Sequence, residues 1–162
     1  MGDIRHSLEG YEWKLQPSRI QNLGTDADLA LMRIVREGDD YPNYYRLRAL
    51  EALSLFPSER VAQFLESYLK SPQEEPAHLL RALDSLSKGF AFAQPQRVQR
   101  AAESLLGHES PHVRVLAAKT LRRLNTADSR QAVVRYLDRE SETWARQAVQ
   151  SDSGNLTVPS QK

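Results

Sequence analysis

The chain has 162 residues, of which 40% are apolar and 27% charged, and its formal net charge is +1. That length supports one domain with a sizeable core, and the near-neutral balance excludes a molecule that attracts nucleic acid over its whole surface. The lack of cysteine excludes disulfides, thiol chemistry and Cys-ligated metal or iron–sulfur centres.

Residues 1–10 are polar, so neither a secretory signal nor a membrane span is visible there, and a cytoplasmic protein is expected. Leu8, Tyr11, Leu15, Ile20 and Leu23 predict a helix over about 7–15 and a short one over 18–23, divided by Pro17. Residues 1–24 thus read as an N-terminal helical cap. Thr25 or Asp26 can cap a helix that runs to Glu37 with Leu31, Met32, Ile34 and Val35 inward. Tyr41 and Tyr44 flank Pro42 and are candidate contact residues, whereas Tyr45 reads as core. A helix over 43–56 follows, then one opened by Ser58 and carrying Val61, Phe64, Leu65, Tyr68 and Leu69.

Pro76 suits the first turn of the next helix, where its missing N–H costs nothing. Leu79, Ala82, Leu83 and Leu86 are the stripe of that helix. The segment 88–95 then breaks the rhythm with Phe90 and Phe92, which are candidate partner-contacting residues of a loop. A helix follows with Val98, Ala101, Ala102, Leu105 and Leu106. Ser110 and Pro111 open the most regular one, in which Val113, Leu116, Ala117, Leu121 and Leu124 recur at helical spacing. Residues 129–138 carry Ala132, Val133, Tyr136 and Leu137, and Ser141 can cap a last helix containing Trp144, Ala145, Ala148 and Val149. The stretch 151–162 has no periodic apolar face and is expected to be a disordered tail.

Repetition is the main signal. Small residues suited to close helix contact stand at Ala49, Ala82, Ala117 and Ala148, with Leu four residues after the first three. A second series aligns Met32, Leu65, Ala102 and Val133, each followed three residues later by Val35, Tyr68, Leu105 and Tyr136. Two helices per unit at this period predict an all-α, right-handed α-solenoid of stacked antiparallel helix pairs with about eight helices.

Val113, Arg114, Ala117, Leu121 and Leu124 make this stretch resemble the first helix of a HEAT repeat, especially the short bacterial form. Tyr45, Arg46, Ala49, Leu53 and Phe56 match less tightly, and the likeness extends over 25–150. The resemblance implies a noncatalytic scaffold that binds another protein. On this expectation Arg60, Gln63, Arg97, Arg100, Gln131 and Arg135 line a concave face, since arginine forks suit carboxylates and phosphates.

Residues 97–139 hold nine basic against four acidic side chains. A nucleic-acid-binding alternative would therefore use Arg97, Arg100, Arg122, Arg123, Arg130 and Arg135. HEAT-like enzymes also exist, among them alkylpurine DNA glycosylases and bilin lyases. The former need a Trp, an Asp and a basic residue in one cleft, but Trp13 and Trp144 stand at opposite ends here. No catalytic set, cofactor or metal site is expected; His108 and His112 are four apart but separated by Pro111. Trp144 near the chain's end could mediate a homodimer.

Overall fold

Proline placement and small polar caps set where the helices begin. The computed structural model describes residues 4–37 and 40–151. Among them, ten α-helices occur in the order α1 (Ile4–Ser7), α2 (Pro17–Gln21), α3 (Ala27–Arg36), α4 (Asn43–Ala52), α5 (Glu59–Leu69), α6 (Pro76–Phe90), α7 (Pro95–Ser104), α8 (Pro111–Leu124), α9 (Ala127–Arg139) and α10 (Thr143–Gln150). No strand occurs among the described residues, so the protein is all-α. No helix among them is long and apolar enough to cross a membrane. The expected tail falls almost wholly outside the described residues.

Proline opens α2, α6, α7 and α8, at the one helical position where a missing N–H leaves no hydrogen bond unmade. Ser58 caps α5 by accepting from the Val61 amide at 3.3 Å, and Thr126 caps α9 by accepting from Ser129 at 3.0 Å. Ser110 and Ser141 do not cap as expected: the Ser110 side chain accepts no cap bond, and Glu142 is the residue preceding α10. At the end of α8, Asn125 adopts a left-handed φ of 52°, which lets a two-residue turn lead into α9.

The described residues form two compact units, one up to Ala101 and one from Ala102, so the division falls inside α7. In the first unit α3 packs on α4, α4 on α6 and α5 on α6. In the second, α8 is flanked by α9 and α10. Flanking on two sides explains the burial pattern of α8. Val113, Val115, Ala117, Ala118, Thr120 and Leu121 are buried, while Leu116 and Leu124 are only partly so. A helix with two neighbours buries more than one narrow stripe.

Ala49, Ala82 and Ala117 are wholly buried, which lets neighbouring helices approach closely. Ala148 is only partly buried; Ala145 takes the inner position in α10. The helix expected over 7–15 is absent. That stretch is instead tied down by Arg48, which donates to the Leu8 and Gly10 carbonyls and stacks over Trp13 and Tyr44.

Candidate functional site

The same three residue types recur at matched register in the two units. In the first, Arg46 lies on α4, Tyr68 on α5, and Glu74 in the turn before α6. In the second, Arg114 lies on α8, Tyr136 on α9, and Glu140 directly after α9. Each Arg is three residues before a buried Ala (Ala49, Ala117). Each Glu is eight residues before the next small residue of the series (Ala82, Ala148). The intervening repeat carries Leu79, Leu105 and Glu109 at these positions. There Leu79 and Leu105 are buried and Glu109 is exposed, so apolar residues stand at the Arg and Tyr positions.

The hydrogen bonding differs between the two clusters. Arg46 donates through Nε to the Val35 carbonyl at 3.2 Å and through Nη2 to both Tyr68 Oη and Glu74 Oε2 at 3.1 Å. Tyr68 itself donates to Glu74 Oε2 at 2.5 Å. Arg114 instead grips Glu140 with two parallel bonds of 2.8 and 2.9 Å, and its Nη1 donates to the carbonyls of His108 and Glu109. The Glu142 amide adds a third bond to the Glu140 carboxylate, at 3.0 Å. Tyr136 Oη is buried next to this pair without a partner in hydrogen-bond geometry.

Charge and burial set the protonation of these groups. The Arg114 guanidinium holds the Glu140 carboxyl down at about 2, so that residue is anionic although its side chain is almost wholly buried. Burial, and then the adjacent carboxylates, push the Tyr68 and Tyr136 hydroxyls up, so both stay protonated donors. Beside the first cluster, His78 is buried, and its Nε2 pairs with Asn43 Oδ1 at 2.5 Å. Burial, then the nearby Arg46 charge, lower its pKa and keep the ring neutral.

Each cluster forms part of a cleft of similar size. The first-unit cleft, about 590 Å³, is lined by Tyr68 and Glu74 together with Arg60, Phe64, Ser67 and Ser71. The second-unit cleft, about 580 Å³, is lined by Tyr136, Glu140 and Arg114 together with Arg135, Arg139 and Glu103. Counting from the aligned Leu65 and Val133, Ser67 corresponds to Arg135 and Ser71 to Arg139. The frameworks match, but the arginines differ in place: Arg36 and Arg60 border the first cleft, whereas Arg135 and Arg139 stand in the second where the first has serines. Arg135 and Arg139 are exposed and four residues apart on one helix face.

The sequence-predicted site residues divide sharply. Phe90 is no loop residue: it ends α6 and is wholly buried, because the helix runs on through most of the expected break. Phe92, in the short turn 91–94, is fully exposed. Arg97 is not a free fork, since it bonds Glu59 at 2.7 and 2.8 Å and pairs with Glu66 at 2.9 Å. Arg60 is likewise held, with Nη2 only 2.6 Å from the buried Asp28 carboxylate. Gln63 is exposed and donates to Glu59 at 3.0 Å.

Arg122 is committed to the end of α10, donating to the carbonyls of Val149 and Gln150. Arg130 donates to Asn125. Arg100, Arg123, Gln131 and Arg135 are exposed. Tyr44 is exposed and stacks on Tyr45 at 4.6 Å, with Tyr41 at 6.1 Å from the same ring. Tyr45 is therefore partly exposed rather than core, and its hydroxyl donates to Glu9 at 3.1 Å. Trp144 packs against His112 at 4.9 Å. Sequence reasoning missed the paired Arg–Tyr–Glu clusters and Arg139, although the repeat register held the signal for both.

Compared with family models, curated proteins and solved structures, the chain finds no match in any of the three.

Proposed function

We propose that the chain is a noncatalytic interaction module of the HEAT-like kind, a right-handed α-solenoid of stacked antiparallel helix pairs that binds a partner protein. The recurrence of Arg, Tyr and Glu at one register in two helix pairs carries this reading. Recurrence at fixed register is what a chain built from one repeated supersecondary unit produces, and the paired change to Leu79 and Leu105 keeps the intervening repeat in step.

The exposure of Gln131, Arg135 and Arg139 along α9 supports a binding face on that helix. Several basic residues of the 97–139 region are committed elsewhere: Arg97 to carboxylates, Arg114 to Glu140, and Arg122 to main-chain carbonyls. Arg135 and Arg139 have no side-chain partner among the described residues, so their forks are available to a partner.

Affinity capture from the source lysate tests this, with and without nuclease and at two salt concentrations, using the natural chain and the double variant Arg135→Gln/Arg139→Gln. The expected result is a discrete protein that survives nuclease and is lost with the variant. Capture that disappears with nuclease and falls steeply with salt would replace the protein partner with nucleic acid. Capture unaffected by the double variant would remove α9 as the binding face.

A further inference from the structure

Tyr68 and Glu74 line the first cleft, and His78 lies behind them in the first turn of α6, its side chain only 1% exposed. Its Nε2 is 2.5 Å from Asn43 Oδ1, at the start of α4. An amide oxygen only accepts, so Nε2 carries the ring proton and Nδ1 presents an open lone pair. That Nδ1 is buried and has no hydrogen-bond partner. Glu74 Oε2 stands 4.0 Å from it.

The same Glu74 oxygen is the shared atom of the cluster. It accepts from Arg46 Nη2 at 3.1 Å and from Tyr68 Oη at 2.5 Å. A second ring proton would make Nδ1 a charged donor, roughly 1 Å outside normal bonding distance of that oxygen. Glu74 sits in the turn before α6 with its side chain 20% exposed, so it has room to close that gap.

The groups around the ring set when this happens. Arg46 on α4 opposes protonation, and so does the positive end of the α6 dipole. Glu74 and Glu75, just before α6, favour it, while burial keeps Tyr68 on α5 a neutral hydroxyl. Burial of the imidazole and the Arg46 charge outweigh the two carboxylates, and the ring titrates below its ordinary value of 6.5.

We infer that His78 is an acid sensor for the first cleft: on protonation its Nδ1 donates to Glu74 Oε2, draws that carboxylate off the Tyr68 hydroxyl and rearranges the cleft wall. The proton comes from solvent, and no other covalent bond changes. The device belongs to the first unit alone. Four residues after Glu140 stands Trp144, and four after Glu109 stands Val113, neither of which takes up a proton. The sensor uses no residue of α9 and stands or falls apart from the interaction-module reading.

An NMR titration of the full chain from pH 7.5 to 4.5 tests it, following the His78 ring nitrogens, the Tyr68 ring and the Arg46 Nε–H. At pH 7.5 the His78 proton is expected on Nε2. Below pH 6.5 the Tyr68 and Arg46 signals should shift with the same midpoint as His78 while the chain keeps its folded spectrum. His78→Gln should abolish both shifts. Glu74→Gln removes the anionic acceptor and should weaken proton uptake by His78 about tenfold, the worth of one hydrogen bond between charged groups. This second variant decides the matter if His78→Gln does not fold.

Unfolding before His78 titrates, a neutral-pH proton on Nδ1, Tyr68 and Arg46 signals that ignore the His78 midpoint, or proton uptake unchanged in Glu74→Gln would each overturn the sensor. Stability follows the same sign. The folded ring binds its proton less readily than the unfolded one, so the neutral ring's contribution is complete above pH 6.5 and is lost as pH falls through the lower folded value.

Discussion

The Arg46–Tyr68–Glu74 and Arg114–Tyr136–Glu140 clusters use the same residue types at matched places in the repeat, yet they distribute their hydrogen bonds differently. Glu74 is six residues after Tyr68, out in the turn, and shares one oxygen between the tyrosine and the arginine. Glu140 is four residues after Tyr136, immediately after α9, and presents both oxygens to Arg114. A difference of two residues in the connection thus converts a shared three-way contact into a two-pronged Arg–Glu pair with the tyrosine hydroxyl at its side. Repeated units can thus keep their packing while the bonding among the same polar residues changes.

The largest effect expected to separate the clusters is removal of the arginines. Glu140 has a side chain only 1% exposed, whereas that of Glu74 is 20% exposed. Arg114→Ala leaves a carboxylate buried without its partner and should cost about 3–5 kcal/mol. Arg46→Ala leaves Glu74 within reach of water and Tyr68, and should cost about 1–2 kcal/mol. Urea denaturation of both variants compares them directly. Equal losses would show that the difference in burial does not set the cost.

Acid should act on the second cluster next. The Glu140 pKa in the folded protein is depressed to about 2, below its ordinary carboxylate value. The folded state therefore binds its proton less readily than the unfolded chain. The resulting stability is present above the unfolded carboxylate pKa and is lost as pH falls from about 4.5 through about 2. Its size is on the order of 3 kcal/mol. The difference in unfolding free energy between the natural chain and Glu140→Gln should shrink over this window. A difference independent of pH would remove Glu140 as the titrating group.

Much of the helix order was legible because it rests on strong local signals. Pro76 and Pro111 stand at helix starts as read, and Ser58 caps as its position suggested. Ala49, Ala82 and Ala117 read correctly as buried contact residues because small size at a periodic position has few other uses. The stretch 7–15 is not the helix its spacing predicts. Its apolar spacing fits one, but Arg48 holds the backbone elsewhere through carbonyls and rings far along the sequence.

The candidate site was less legible for a related reason. A surface arginine and a bound one look alike in sequence. Arg97 and Arg60 are held by carboxylates 31 or more residues away, and Phe90 is buried because α6 extends past its expected end. Arg114 belongs to a helix pattern, but its partner Glu140 lies outside that pattern. Only alignment of Glu74 with Glu140 relative to the following alanine exposes the shared design.

The smallest expected effect is the most discriminating, because it removes one oxygen atom from each cluster. Tyr68→Phe deletes a hydroxyl that donates to Glu74 and accepts from Arg46, leaving both charged partners short of a bond. The loss should be about 1–2 kcal/mol. Tyr136→Phe deletes a buried hydroxyl without a partner, and the ring that fills the core remains. Removing an unmatched polar atom leaves nothing newly unsatisfied, so stability should stay within about 0.5 kcal/mol of the natural chain or rise. Thermal and urea melts of the two variants, run side by side, measure the contrast. A Tyr136→Phe loss as large as that of Tyr68→Phe would mean that the Tyr136 hydroxyl is bonded to Glu140 in solution, and the two clusters would then be equivalent in energy as well as in register.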